Sequence, residues 1–120
     1  NFWALFDGNV HLVGSTIHLL SKGLDNGPVL FHAVSNLKTD IFEYTMSTVK
    51  SAFISISEKI HNKSIFDINP IAQDNSKEIR YSQKKDFNEK TIKEFLKKRI
   101  DLNAKDLDPT LLKEPYILDN

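Results

Sequence analysis

The fold is decided by the stretch Gly14-Ser15-Thr16-Ile17-His18-Leu19-Leu20-Ser21-Lys22-Gly23-Leu24-Asp25-Asn26-Gly27-Pro28-Val29-Leu30. Its β-branched and apolar residues at 16–20 are typical of a half-buried strand. Glycine, asparagine and proline then cluster at 23–28, which is typical of a turn. An apolar run resumes at Val29 and continues to Phe31, with Ala33-Val34 just beyond it. The stretch therefore predicts a β-hairpin.

Two side chains of this hairpin are candidates for chemistry. Asp25 is the one carboxylate of the predicted loop, and His18 lies on the strand before it. An aspartate between turn glycines is either a turn-former or a functional group, and the residues alone favour the turn. A single histidine on a strand is more often a hydrogen-bonded structural residue than a catalytic one. Both interpretations stay open at this point.

A long helix is predicted from Asp40 to about Asn62. Asp40 with Glu43 three residues later resembles a capping box. Six apolar residues repeat at alternating spacings of four and three, which places them on one face of a helix: Phe42, Met46, Val49, Phe53, Ile56 and Ile60. We expect this face to pack against the sheet, and a groove for a partner helix is the alternative.

The remaining segments give weaker signals. Residues 1–8 read as the end of a helix that stops at Gly8. Short strands are expected at 65–68, 71–72 and 79–81. A second helix is predicted from Asp86 to Ile100, with Asp86 and Glu89 as its cap. Prolines and aspartates at 101–120 predict an extended tail.

Composition limits the class of protein. A chain of 120 residues suits one domain, and its formal net charge of zero gives no general attraction to nucleic acid or to an anionic membrane. Lysines and arginines concentrate at 77–99, as a solvated face or, alternatively, as a phosphate-binding patch. Cysteine is absent, and the four histidines lack a recognised metal-ligand spacing, so no metal is expected. No apolar run reaches the roughly 20 residues of a membrane helix. Cytoplasm is the default location.

The hairpin resembles the signature of the folate-dependent formyltransferases. Gly-x-Thr-x-His is followed, seven residues after the histidine, by Asp-x-Gly-Pro-x-Leu. Phe2-Trp3-Ala4-Leu5 with Gly8 resembles the Trp-Ala helix of that family, and Val34 and Asp40 match a strand valine and a helix-opening aspartate. The residues of the hairpin that match are Gly14, Thr16, His18, Leu24, Asp25, Gly27, Pro28 and Leu30.

The resemblance implies a fold and an activity. The fold class is α/β: the second half of a formyltransferase-like open twisted sheet, with two helices and a loop-rich tail. Residues 1–100 would form the C-terminal part of the catalytic domain, and residues 101–120 the tail. The donor would be 10-formyltetrahydrofolate, and the acceptor a small-molecule amine such as a nucleotide-linked amino sugar or a ribonucleotide amine. Asp25 would be the central catalytic residue and His18 its support, with Asn26 and Gly27 shaping the folate-binding loop.

The sequence also departs from the family. Asn26 stands where the family often has threonine, and His32 where it often has glutamine. The family's catalytic Asn-x-His-Pro-Ser motif is not found among the 120 residues. Activity of this chain alone is therefore uncertain, and a complementing N-terminal half or a homodimer is a candidate partner. Two alternatives follow: a formyltetrahydrofolate hydrolase, or a non-catalytic interaction half with exposed Phe2, Trp3 and Phe6.

Overall fold

The fold was described from a computed structural model. It describes residues 1–23, 25–98 and 100, together with the backbone of 116–118. The elements in chain order are helix α1 (Phe2–Phe6), strands β1 (Ser15–His18) and β2 (Val29–Val34), helices α2 (Ile41–His61) and α3 (Glu89–Lys97), and strand β3 (Tyr116–Leu118). The strand order is β1-β2-β3, with β1 antiparallel and β3 parallel to β2. The chain is therefore a mixed α/β structure.

The predicted hairpin is confirmed. Thr16 pairs with His32 and Ile17 with Phe31, and the register then shifts so that His18 pairs with Val29. This shift is a β-bulge that leaves Leu30 as the extra residue of β2, and such bulges re-aim the side chains beside them. Strand β1 therefore ends at His18, two residues earlier than the apolar pattern indicates.

The long helix has the predicted bounds, but its buried face is not the predicted one. The Asp40 side chain accepts hydrogen bonds from the backbone N–H groups of Phe42 and Glu43, as expected for its N-cap. Four of the six stripe residues are more than half exposed: Phe42 (60%), Met46 (63%), Phe53 (71%) and Ile60 (59%). The prediction that this stripe packs against the sheet is wrong for these four residues, whereas Ile56 is half-buried and packs against the core of the sheet.

The buried face of α2 is made mostly of small or polar residues, with Tyr44 as its large member. They are Tyr44, Thr48, Ser51, Ala52 and Ser55. The Ser51 hydroxyl donates to the carbonyl oxygen of Val34 at 3.1 Å, which requires helix and strand to approach closely. The Thr48 hydroxyl bonds within the helix, to the Thr45 carbonyl oxygen at 2.8 Å, so its burial leaves no unpaired donor. Strand β2 supplies the bulk of the contact through Phe31, and small helix residues fit against it.

Helix α1 packs into an aromatic cluster rather than standing free. Phe2 lies 4.6 Å from Phe95 and 4.9 Å from Phe87 between ring centroids. Phe2, Trp3 and Phe6 are half-buried, so the exposure expected for an interaction half is not found at α1. A second core centres on Tyr44, whose burial raises its pKa to about 12. The hydroxyl of Tyr44 donates to the Val10 carbonyl oxygen at 3.5 Å.

Helix α3 is shorter than predicted. Its N-cap is Asn88, whose side chain accepts from the Thr91 N–H at 3.2 Å, and not Asp86. Asp86 instead accepts from the backbone N–H of Gln83 and closes a 3₁₀ turn. On the predicted apolar face Phe95 is buried, whereas Leu96 is exposed.

The three short strands expected after α2 are not formed as predicted. Residues 65–67 lie in a 3₁₀ turn, and 79–81 lie outside any helix or strand. Ile71 alone pairs with Val29, through two backbone hydrogen bonds of 2.8 Å. The predicted tail, 101–120, lies outside the described residues except for the backbone of β3. Within the described part of the chain, no helix has the length and apolarity needed to cross a membrane.

The contact between Asp7 and Arg80 yields a pH prediction. Arg80 donates two hydrogen bonds to the Asp7 carboxylate and stacks on Trp3, with its guanidinium carbon 4.5 Å from the ring centroid. The hydrogen bond from Arg80, and then its charge, lower the pKa of Asp7 from its usual 3.8. Protonation of Asp7 therefore favours the unfolded chain. The stabilisation of the fold by the Asp7–Arg80 contact is complete above about pH 4 and falls as the pH drops further.

We expect Asp7→Asn to lower the free energy of unfolding at pH 7, with the difference from wild type shrinking between about pH 4 and pH 2. Urea unfolding across this pH range measures it. Asp67→Asn is a control at an exposed position. A difference between wild type and Asp7→Asn that stays constant with pH would contradict the assignment.

Candidate functional site

The candidate site lies where the hairpin turns between β1 and β2. The Leu19 N–H donates to the Pro28 carbonyl oxygen at 2.9 Å, which continues the pairing one residue past β1. Residues 20–27 then make the loop, with Leu24 outside the described residues. The bulge beside His18 ends the regular ladder at this point, so the histidine side chain faces the loop.

The structure brings Asp25 and His18 together. His18 Nε2 lies 3.7 Å from Asp25 Oδ1. Asp25 has a positive φ of 55°, in the left-handed region that aspartate tolerates better than most residues. Its carboxylate is 82% exposed, whereas the His18 ring is 21% exposed. The pair therefore combines a carboxylate that solvent or a ligand can reach with an imidazole held against the hairpin.

The second ring nitrogen of His18 defines its tautomer. His18 Nδ1 lies 2.9 Å from the Leu19 carbonyl oxygen. Because a carbonyl oxygen only accepts, the hydrogen bond requires the proton on Nδ1. In the neutral ring Nε2 then carries the lone pair and faces Asp25. Nε2 is therefore an acceptor site, and the Asp25 carboxylate lies 3.7 Å from it.

Gly27 makes this arrangement possible through a close backbone approach. A Cβ atom at residue 27 would lie 1.7 Å from the Leu19 carbonyl oxygen and 3.3 Å from His18 Nδ1. No side chain fits there without separating the two strands. The close approach at Gly27 is thus made to the Leu19 carbonyl group, which also bonds to His18 Nδ1.

Asn26 turns its side chain into the loop. Its Oδ1 accepts a hydrogen bond from the Ser21 hydroxyl, which also contacts the Gly23 carbonyl oxygen at 3.3 Å. The amide group of Asn26 therefore bonds across the base of the loop and shapes its backbone. Asn26 was predicted to belong to the folate-binding loop, and in this structure its Oδ1 atom accepts a hydrogen bond from Ser21 of the same loop.

Gln73 is a site residue that the sequence analysis missed. Its Nε2 donates to the carbonyl oxygens of Asp25 at 2.9 Å and Gly27 at 2.8 Å. Gln73 follows Ile71, which pairs with Val29, so the same segment is tied to both β2 and the loop. No local pattern signals this contact, because it joins residues 46 and 48 positions apart.

A second polar contact lies on the strands beside the pair. Thr16 Oγ1 and His32 Nδ1 share a hydrogen bond of 2.9 Å across the hairpin. Burial lowers the pKa of His32, so its ring favours the neutral form. His32 was noted only as a departure from the family, although a hairpin centred near residue 24 already pairs positions 16 and 32.

A concavity of about 480 Å³ lies elsewhere, along α3. It is lined by Glu89, Lys90, Lys93, Glu94 and Lys97, and the Lys93–Glu89 ion pair of 2.5 Å shows that its charges compensate one another. Its lining has three lysines and two glutamates, so its net charge is small. Among the described residues, no group of three or more histidine, aspartate or glutamate side chains could hold a metal ion.

Comparisons with family models, with curated proteins and with solved structures found no match to this chain.

The Gly27 contact can be tested by substitution. We expect Gly27→Ala to cost about 2 kcal/mol or more of unfolding free energy, because the methyl group overlaps the Leu19 backbone. Gly8→Ala is the matched control: it has a φ of +76° but nothing within 4 Å of the new Cβ, so only the conformational cost of about 1 kcal/mol applies. Urea unfolding measures both. Equal costs would contradict a close approach at Gly27.

Proposed function

We propose that this chain forms the Asp–His half of a folate-dependent formyltransferase site. The proposed reaction moves a formyl group from 10-formyltetrahydrofolate to the amino group of a small acceptor, such as a nucleotide-linked amino sugar or a ribonucleotide amine. The observation that carries the proposal is the 3.7 Å approach of His18 Nε2 to Asp25 Oδ1. It occurs within the hairpin whose residues resemble the family signature.

The chemistry of formyl transfer fits this pair. The amine nitrogen attacks the formyl carbon, the formyl oxygen becomes an oxyanion, and the amine must lose a proton. Asp25, with its exposed carboxylate, takes that proton directly or through one water molecule. His18 lies beside the Asp25 carboxylate. When its Nε2 atom is protonated, the positive ring stabilises the negative carboxylate. The N10 atom of tetrahydrofolate leaves as the intermediate collapses, and the same proton returns to it.

The oxyanion requires donors that this hairpin does not supply. In the family that the hairpin resembles, an asparagine amide and a histidine of the Asn-x-His-Pro-Ser motif have this role. These 120 residues contain no such motif. The proposal therefore assigns the oxyanion donors to a complementing polypeptide segment, and assigns proton transfer to Asp25.

The decisive variant is Asp25→Asn in the intact protein. We expect turnover to fall by about 10²-fold or more, because an amide cannot accept the amine proton. Formylation of an amine acceptor from 10-formyltetrahydrofolate measures it, and His18→Ala should reduce turnover less. Asp40→Asn is the matched control, since asparagine caps a helix as well as aspartate does.

Two results would contradict the proposal. Near-normal turnover in folded Asp25→Asn protein would remove Asp25 from the mechanism. Complete loss in His18→Ala protein with a modest loss in Asp25→Asn protein would mean that the histidine, and not the aspartate, is central. Far-ultraviolet circular dichroism of each variant separates these outcomes from misfolding.

A hydrolase variant of the same site differs only in the attacking group. Water replaces the amine, and Asp25 takes the proton of water. Release of formate without an acceptor, unchanged when amines are added, would favour it. A non-catalytic interaction half is a second candidate, favoured by the exposed apolar face of α2.

A further inference from the structure

The exposed stripe on α2 is the largest feature of the fold that the candidate site does not use. The buried side of α2 carries mostly small or polar residues, and Phe42, Met46, Phe53 and Ile60 lie exposed on another side, with half-buried Val49 and Ile56 at its edge. Contiguous apolar surface of this kind marks interaction sites in folded proteins. The stripe runs along a helix of 21 residues, about 31 Å in length.

The spacing of the stripe specifies the kind of surface that it fits. Its six positions follow a heptad pattern: Met46, Phe53 and Ile60 occupy a positions and Phe42, Val49 and Ile56 d positions. This is the pattern of a helix seam that packs knobs-into-holes against another helix.

The seam is complementary to itself when two copies run antiparallel. Placing Phe42 opposite Ile60 of a second copy also places Met46 opposite Ile56 and Val49 opposite Phe53. Each of these three layers occurs twice by symmetry, and in each one helix contributes an a position and the other a d position. The arrangement has a twofold axis near residue 51, as a closed dimer requires.

Charge favours the same orientation. Asp40 and Glu43 lie at the N-terminal end of α2, whereas Lys59 and Lys63 lie at its C-terminal end. An antiparallel pair brings each acidic end near the basic end of the other copy and opposes the two helix dipoles. Lys50 is the exception, because the Lys50 residues of the two copies lie close together at the twofold axis. Lys50 is exposed, so this repulsion is weak.

The available area sets the expected affinity. The four most exposed seam residues present roughly 100–150 Å² each, or about 500 Å² per copy. Two copies then bury about 1,000 Å², which is the lower limit for a specific interface. The pair should therefore be reversible and dependent on concentration.

We infer that α2 is the interface of an antiparallel homodimer of this chain. Sedimentation equilibrium from about 10 to 300 μM should show a monomer–dimer equilibrium that Phe53→Glu shifts by at least about tenfold toward monomer. Phe66→Glu is the matched control, since Phe66 is 84% exposed and lies off the seam. A monomer throughout this range, or equal effects of the two variants, would overturn the inference.

Disulfide trapping tests the relative orientation of the two helices. The chain has no cysteine of its own, so only introduced cysteines can cross-link. Lys50→Cys should cross-link to itself at the axis. Phe42→Cys and Ile60→Cys should each stay monomeric alone and cross-link when mixed, since like positions lie about 27 Å apart along the antiparallel pair. Efficient self-cross-linking of Phe42→Cys would show a parallel pair and overturn the antiparallel arrangement. Neither measurement depends on formyl transfer, so the proposed activity and the dimer can fail separately.

Discussion

The close approach of Gly27 to the Leu19 carbonyl group is the constraint on which the hairpin depends. This carbonyl oxygen accepts from His18 Nδ1 and lies where a side chain at residue 27 would stand. Because the backbone at Gly27 lies so close to Leu19, the loop can place the Asp25 carboxylate beside His18 Nε2. The orientation of the His18 ring and the position of the Asp25 carboxylate thus depend on the absence of a Cβ atom at Gly27.

A second constraint comes from the packing of α2 on β2. Phe31 is buried in the sheet, and α2 meets this core with Ala52 and half-buried Ile56. The other large apolar side chains of the stripe, Phe42, Met46, Phe53 and Ile60, are left exposed. The serine and threonine hydroxyls bond to backbone carbonyls, so a polar buried face costs little. The apolar face of α2 is left exposed.

Local chemistry predicted the hairpin and α2, because caps and turns are local. Asp40 caps α2, and the turn residues at 23–28 connect paired strands, as the sequence pattern indicated. The pattern did not predict which face of α2 is buried. Periodicity shows that two faces of a helix differ, but it does not show which face the rest of the fold covers.

The candidate site was predicted only in part, because sequence patterns show local contacts and do not show which distant segments meet. The loop signature pointed to His18 and Asp25, and the fold places them 3.7 Å apart. Gln73 could not be found, since its contact with the loop depends on the path of the chain after α2. The cap of α3 was misplaced because Asp86 and Asn88 are both good capping residues, and only the 3₁₀ turn before the helix decides between them.

The most direct test of the account is the tautomer of His18. Long-range ¹H–¹⁵N correlation spectra of the neutral ring, at about pH 9, distinguish a protonated from an unprotonated ring nitrogen. The account predicts the proton on Nδ1, bonded to the Leu19 carbonyl oxygen, with Nε2 unprotonated beside Asp25. A neutral ring with its proton on Nε2 would contradict the geometry on which the proposed proton transfer rests.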